Sequence, residues 1–133
     1  MNKQDFHNYI AAFNACDLDG FTHYYADDVV FDLSGKLVLT GRAAVRNFYQ
    51  GVFQKVKEKL GVRTVVMDDR GLAADVDTEF KALVDDPGFV AGPIVVGRAI
   101  FIRSFIFYRI ERGVFTRITA RRVTDARVGP PTF

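Results

Sequence analysis

The side chains able to act on a substrate are few in this sequence, and most of them stand apart from one another. Its two histidines, His7 and His23, fall on expected helices beside solvated residues, and each reads as a surface or edge imidazole. Cys16, the one cysteine, has no neighbouring base to take its proton and reads as inert. No set of His, Cys, Asp or Glu has metal-ligand spacing, so no metal is expected. What does recur is charge laid out in stripes. Asp75, Asp77 and Glu79 alternate along one segment, Arg103 and Arg109 along another, and Arg117 and Arg121 along a third. A period of two places each set on one face of a strand, where opposite charges on neighbouring strands can meet as ion pairs.

Aromatic rings share those faces: Phe101, Phe105 and Phe107 stand with the arginines of the longer segment, and Phe115 with Arg117 and Arg121. Rings interleaved with paired charges suit contact with a second copy of the chain, so a homodimer through this outer sheet face is expected. They suit nucleic acid poorly, because the acids oppose phosphate and the net charge is only +2. The opposite face of the long segment, Ile100, Ile102, Ser104, Ile106 and Tyr108, is left for an interior.

The elements that must carry these residues follow from periodicity. Phe6, Tyr9, Ile10 and Phe13 recur at helical spacing between Gln4 and Cys16, and a second short helix carries Phe21, Tyr24 and Tyr25 after an acidic cap at Asp17 or Asp19. Val29 to Leu33 reads as a strand, Ser34-Gly35-Lys36 as a turn, and Leu37 to Leu39 as the return. Thr40 then caps the clearest helix, Arg42 to Leu60, with Val45, Phe48, Tyr49, Val52, Phe53, Val56 and Leu60 on its apolar face. Lys55, Lys57, Glu58 and Lys59 take its solvated face, and Gly61 closes it.

From Gly61 the pattern is a meander of four strands, Val62 to Met67, Leu72 to Val84, Ile94 to Ile110 and Val114 to Thr124, with a tight turn at Glu111-Arg112-Gly113. The tail from Val128 cannot extend a ladder past Pro130 and Pro131. The loop Asp85 to Pro93 holds Phe89 and Val90 between glycines and prolines, and reads as a mobile rim over a pocket. Helices followed by antiparallel strands give one α+β domain over residues 1–133: a cone-shaped, curved antiparallel sheet with three N-terminal helices enclosing a pocket.

Composition agrees with an enclosed pocket. Of 133 residues, 49% are hydrophobic, and 13 Phe with 5 Tyr either pack a very aromatic core or line a cavity with the surplus. From Arg98 onward eight arginines face two acids, Glu111 and Asp125, which is the charge asymmetry the outer stripes account for. A single cysteine excludes an internal disulfide, and neither a signal-peptide pattern nor an apolar run of about 20 residues is present. A cytoplasmic protein that engages no membrane is expected.

The run Tyr25-Ala26-Asp27-Asp28-Val29-Val30-Phe31-Asp32, followed by Gly41-Arg42 and Phe48-Tyr49, resembles the SnoaL-like and ketosteroid-isomerase-like branch of the nuclear transport factor 2-like superfamily, and the glycine turn at Gly113 fits it too. The resemblance spans Tyr9 to about Thr124. It implies an oxyanion-binding tyrosine at Tyr9 backed by Tyr25 and Tyr49, a phenol in a dry pocket being a strong donor to developing negative charge.

The family's base, an aspartate, falls on Leu33 when counted forward from Tyr25 and on Asp32 when counted back from Gly41. Strand alternation between Phe31 and Leu33 favours Leu33 for the inward position. The acid that the family carries on its long strand has no counterpart in Ser104-Phe105-Ile106-Phe107-Tyr108. The buried, protonated aspartate of ketosteroid isomerase is a standard example of a raised carboxyl pKa.

Two functions are therefore expected. One is a cofactor-free isomerase, cyclase or dehydratase acting on a small apolar carbonyl compound, with Tyr9, Tyr25, Tyr49 and Asp32 as its catalytic set. The other is a non-catalytic ligand-binding or dimeric accessory module of the same fold. In both, the ligand would meet Phe6, Phe13, Phe31, Leu33, Phe48, Phe53, Phe89, Ile102 and Ile106, with Arg122 supplying charge if it faces inward.

Overall fold

Asn2 starts the first helix by accepting from the backbone N–H of Asp5, while the Asp5 carboxylate accepts from the N–H of Asn2. This reciprocal cap satisfies two of the donors that a helix start leaves free. In the computed structural model, which describes residues 1–133, helix α1 runs Lys3–Asn14 and buries the expected stripe of Phe6, Tyr9, Ile10 and Phe13. Asp17 caps α2 (Leu18–Thr22) through the N–H of Gly20. Strands β1 (Tyr25–Leu33) and β2 (Leu37–Thr40) form the expected hairpin, and α3 (Arg42–Lys55) follows. Its cap position is Gly41 (φ 98°) rather than Thr40, with no side-chain cap bond.

The third helix ends five residues before the expected Leu60. Val56 is already extended (φ −141°, ψ 157°), and β3 runs Val56–Met67. Along its first turn of pleat the burial alternates strictly: Val56, Glu58 and Leu60 are buried, Lys57 and Lys59 exposed. Positions 56 and 60 satisfy a helical stripe and a strand alternation equally well, and the strand wins because it can pair with β4 (Gly71–Ala82) from Val56 to Met67. Glu58 is thereby moved from an expected solvated helix face to the interior.

The remaining strands are β5 (Ala99–Glu111), β6 (Val114–Arg122) and β7 (Arg127–Gly129). β5 begins at Ala99 rather than Ile94, which makes only an isolated bridge to Asp86. β6 stops at Arg122, two residues before the expected Thr124, and β7 ends immediately before Pro130. The β5–β6 turn sets Arg112 and Gly113 at positive φ (52° and 76°), where glycine carries no Cβ penalty.

The sheet order is β2-β1-β6-β5-β4-β3, with β7 added beside β5. One pairing departs from the expected all-antiparallel sheet: β1 lies parallel to β6, with Leu33 beside Ala120. The two strands belong to different ends of the chain, so no hairpin constrains their direction. The three helices cover one face of the curved, unclosed sheet, and α1, α3, β1 and the inner faces of β4–β6 share one core of 26 buried residues. No helix is long and apolar enough to cross a membrane.

Candidate functional site

Curvature of the sheet around α1 and α3 leaves a cavity of about 640 Å³ whose wall is mostly apolar. Alternation along β5 turns Ile102, Ser104, Ile106 and Tyr108 into it, the face assigned to the interior from sequence. Phe13 of α1, Phe31 and Leu33 of β1, and Phe48 and Tyr49 of α3 close the helical side. Phe89 and Val90 of the loop form part of the rim, with Phe89 packed edge-on to Phe80 at 5.6 Å between ring centres.

Two of the expected ligand contacts lie elsewhere. Phe6 is fully buried against Tyr108, and Phe53 packs on Phe13 and Phe21, so both serve the core that supports the cavity rather than its surface.

Two of the three expected tyrosines, Tyr9 and Tyr25, meet through their hydroxyls, and Tyr49 hydrogen-bonds to neither. The hydroxyls of Tyr9 and Tyr25 are 2.8 Å apart, both side chains are buried, and Tyr9 reaches the cavity wall while Tyr25 stands behind it. Tyr49 and Tyr108 also line the cavity. Burial holds all four phenols well above their ordinary pKa, so they remain neutral donors.

Asp32 does not join them. It occupies the outward position of β1, between Phe31 and Leu33, and turns to the outer face of the sheet. There Arg121 donates to both carboxylate oxygens at 3.0 and 3.1 Å, the Gly35 N–H donates at 2.8 Å, and Arg117 stands 3.8 Å away. The hydrogen bonds from Arg121, with the one from Gly35, hold its pKa below the ordinary carboxylate value. The expected base is a structural anion, and Leu33 takes the inward place because a strand presents alternate side chains to opposite faces.

The interior carboxyl is Glu58. It is 6% exposed, lines the cavity, and has no hydrogen-bond or ion-pair partner. Burial in apolar surroundings lifts its pKa to about 8, so near neutral pH it is predominantly the neutral acid. Its field in turn helps raise the pKa of Tyr9, Tyr25 and Tyr49. A side-chain bracket fixes the strand that carries it: Asn14 Nδ2 donates to the Leu60 carbonyl at 3.0 Å, and the Leu60 N–H donates to Asn14 Oδ1 at 2.8 Å. Because β3 is the sheet edge, these two bonds stand where a further strand would pair. The signal for Glu58 was present in Val56-Lys57-Glu58-Lys59-Leu60 as a period of two, hidden by the helical stripe that shares Val56 and Leu60.

Of the charged stripes expected to meet on the outer face, only Arg103 and Asp75 pair with each other. Arg117 and Arg121 turn to Asp32, Glu79 accepts from Thr132, and Asp77 is met by Arg63 of β3. Arg103 grips Asp75 through two bonds at 2.8 and 2.6 Å, and Arg63 meets Asp77 at 2.7 Å. An open groove beside them is lined by Val66, Phe105 and Phe107, each more than half exposed. Arg122 of β6 faces the rim of the inner cavity, where its guanidinium lies 3.4 Å from the Ala91 carbonyl.

Residues 6–119 match a family model described as a SnoaL-like domain. No curated protein matches the chain. Among solved structures, a candidate polyketide cyclase from Xanthomonas campestris pv. campestris is similar at 25% identity and TM-score 0.75, over 87% of this chain and 85% of that one. A second candidate polyketide cyclase, from Pseudomonas putida, is similar at 25% identity and TM-score 0.75, over 86% of each chain. An epoxide hydrolase of the LEH-like type from M. tuberculosis shares the fold at TM-score 0.73 and 11% identity, over 90% of this chain and 80% of that one.

Proposed function

The chain belongs to the SnoaL-like domain family, and from that premise we propose that its cavity catalyses proton transfer on a small apolar carbonyl compound, an isomerisation or cyclisation that draws on no cofactor. Glu58 is the group that moves the proton, and Tyr9, backed by Tyr25, binds the substrate oxygen. One observation carries the reading: a carboxyl with no partner opens into an apolar cavity beside buried phenols, its pKa raised by burial to about 8.

A general base or acid works best when its pKa lies near the working pH. As a carboxylate, Glu58 takes a proton from the carbon next to the carbonyl while the phenol of Tyr9 donates to the enolate oxygen. The same carboxyl then returns the proton at another carbon. The step consumes no water and leaves no change of oxidation state.

Enolisable ketones of one to three rings, beginning with 2-tetralone, provide the test. In deuterated buffer the wild-type protein should accelerate exchange of the α-protons, followed by proton NMR, and the rate should rise with pH through about 8. Glu58→Gln should lower it by about 10²- to 10⁴-fold. If the ketones bind the wild-type protein yet exchange no faster than in buffer, the catalytic reading fails and the cavity is a binding site without chemistry. The mainly apolar wall and the leucine at the family's base position support that second reading.

The outer groove with Phe105, Phe107 and Val66 is the seat proposed for a second copy of the chain, since the neighbouring charges are already paired within the sheet. Sedimentation should give a dimer that Phe107→Arg dissociates.

A further inference from the structure

The polar groups of the cavity are divided between its interior and its rim, and the rim carries charge that nothing in the protein neutralises. Five charged side chains line the cavity: Lys36, Glu58, Arg121, Arg122 and Asp125. Glu58 belongs to the interior. Arg121 is bound to Asp32 through two hydrogen bonds on the outer face. Lys36 and Arg122 form no salt bridge, and neither does Asp125. The rim therefore presents two unpaired cations against one unpaired carboxylate.

The fold brings the two cations together. Leu33 of β1 pairs with Ala120 of β6, and the Ser34 N–H donates to the Ala120 carbonyl at 2.8 Å. The β1–β2 turn, with Lys36 at its end, thus lies beside the last residues of β6, Arg121 and Arg122. From there Arg122 reaches toward the Ala91 carbonyl of the loop that covers the cavity.

Glu58 stands across the same inner face of the sheet, near its far edge. Arg122 pairs with Ser104 of β5, whereas Glu58 pairs with Phe80 of β4, which pairs with Ile100 of β5. Four residues along β5 and three strand spacings across amount to about 20 Å measured along the sheet. Curvature shortens that path across the cavity, and the two side chains shorten it further. What remains suits an elongated fused-ring body with the reacting carbon at one end.

On the reading of Glu58 given above, we propose that the substrate is an apolar molecule with an anionic terminus, and that Lys36 and Arg122 bind that terminus at the rim while its ring system enters toward Glu58. A carboxylate on the ligand gains two charge-assisted partners there, and the Asp125 carboxylate on the same rim repels a second negative charge. A monoanion is the form the rim accommodates best.

The test compares 1-naphthylacetic acid with its neutral isostere 1-naphthylacetamide by calorimetry on the full chain at pH 7. The acid should bind about tenfold or more tightly than the amide, and the preference should shrink as salt is raised. In the doubly substituted Lys36→Gln, Arg122→Gln protein the acid should weaken to the affinity of the amide, and the amide should bind as it does to wild type. Both positions are exposed, so the fold should tolerate the changes, and Arg122→Lys should keep part of the preference.

Equal affinities for acid and amide in the wild type overturn the anionic terminus but leave the proton-transfer reading standing, because ketone exchange at Glu58 is measured independently. A preference that survives the double substitution overturns the assignment to Lys36 and Arg122. Failure of both probes to bind overturns this proposal and removes the support that a ligand pocket lends to the previous one.

Discussion

Glu58 and Asp32 are hidden from solvent to the same degree, each 6% exposed, yet their surroundings drive them to opposite charge states. Asp32, on the outer face of β1, is held by Arg121 and the Gly35 N–H, and its pKa falls. Glu58, on the inner wall at β3, meets no donor, and its pKa rises to about 8. Low accessibility has two origins here. Asp32 is covered at the surface of the sheet by two half-exposed arginines that stabilise its charge, whereas Glu58 lies deep among apolar groups that penalise its charge and offer no partner. The outer face spends its charges on one another, whereas the inner wall keeps one acid unpaired where a ligand can reach it.

The largest expected effect separates the two by chemistry. In the ketone exchange assay Glu58→Gln should remove about 10²- to 10⁴-fold of the rate, while Asp32→Asn should change it by less than about threefold, an effect of under 1 kcal/mol. Comparable losses in the two variants would break the contrast.

Stability against pH separates them by sign. Glu58 has a folded pKa above its ordinary 4.5, so the native protein holds a proton that the unfolded chain releases. Its contribution is complete below pH 4.5 and is lost as pH rises through about 8, on the order of 5 kcal/mol in all. Asp32 behaves in the reverse way: its folded pKa is lowered, so its contribution is present above the ordinary value of 3.8 and is lost as pH falls through the folded one. Urea denaturation at pH 5 and pH 8.5 should show wild type weakening at the higher pH and Glu58→Gln nearly level. Equal slopes for the two proteins would mean that Glu58 is not held neutral.

Asn14→Ala should cost about 1–3 kcal/mol by removing the partners of the Leu60 N–H and carbonyl. It should also let water reach Glu58, moving the carboxyl titration, read by carbon NMR, down from about 8. A stability loss with the titration unmoved would leave Asn14 as a brace for the strand alone. The smallest effect is expected from Arg121→Gln on the outer face: the Asp32 titration should rise toward 3.8, with a slight loss of melting temperature at pH 7 that shrinks as pH falls below 3.8.

Much of this arrangement was readable from residue order. The alternation Phe31-Asp32-Leu33 put Leu33 inward, the β5 face Ile102-Ser104-Ile106 was correctly turned to the interior, and the stripes of Asp75 and Arg103 paired as expected. Glu58 was not readable, because one i, i+4 pair of apolar residues satisfies a helix and a strand alike. Only the long-range pairing with β4 decides between them, and that pairing is not a property of the segment itself. The parallel contact of β1 with β6 escaped for the same reason: a strand's pattern of faces is silent about which neighbour it will have.

That parallel contact also sets an order of events. The hydrogen bonds between Asp32 and Arg121 join positions 89 apart in sequence, so β1 and α1 must wait for almost the whole chain before the sheet can close around them. Local contacts form faster than contacts of such separation, and the β3–β4 and β5–β6 hairpins can assemble while β1 is still unpaired on its β6 side. During synthesis the wall bearing Glu58 emerges before the residues of β6 that complete the opposite rim. The cavity is accordingly among the last features to form, and slowing the docking of β1 onto β6 should delay ligand binding more than it delays the gain of strand signal in a refolding experiment.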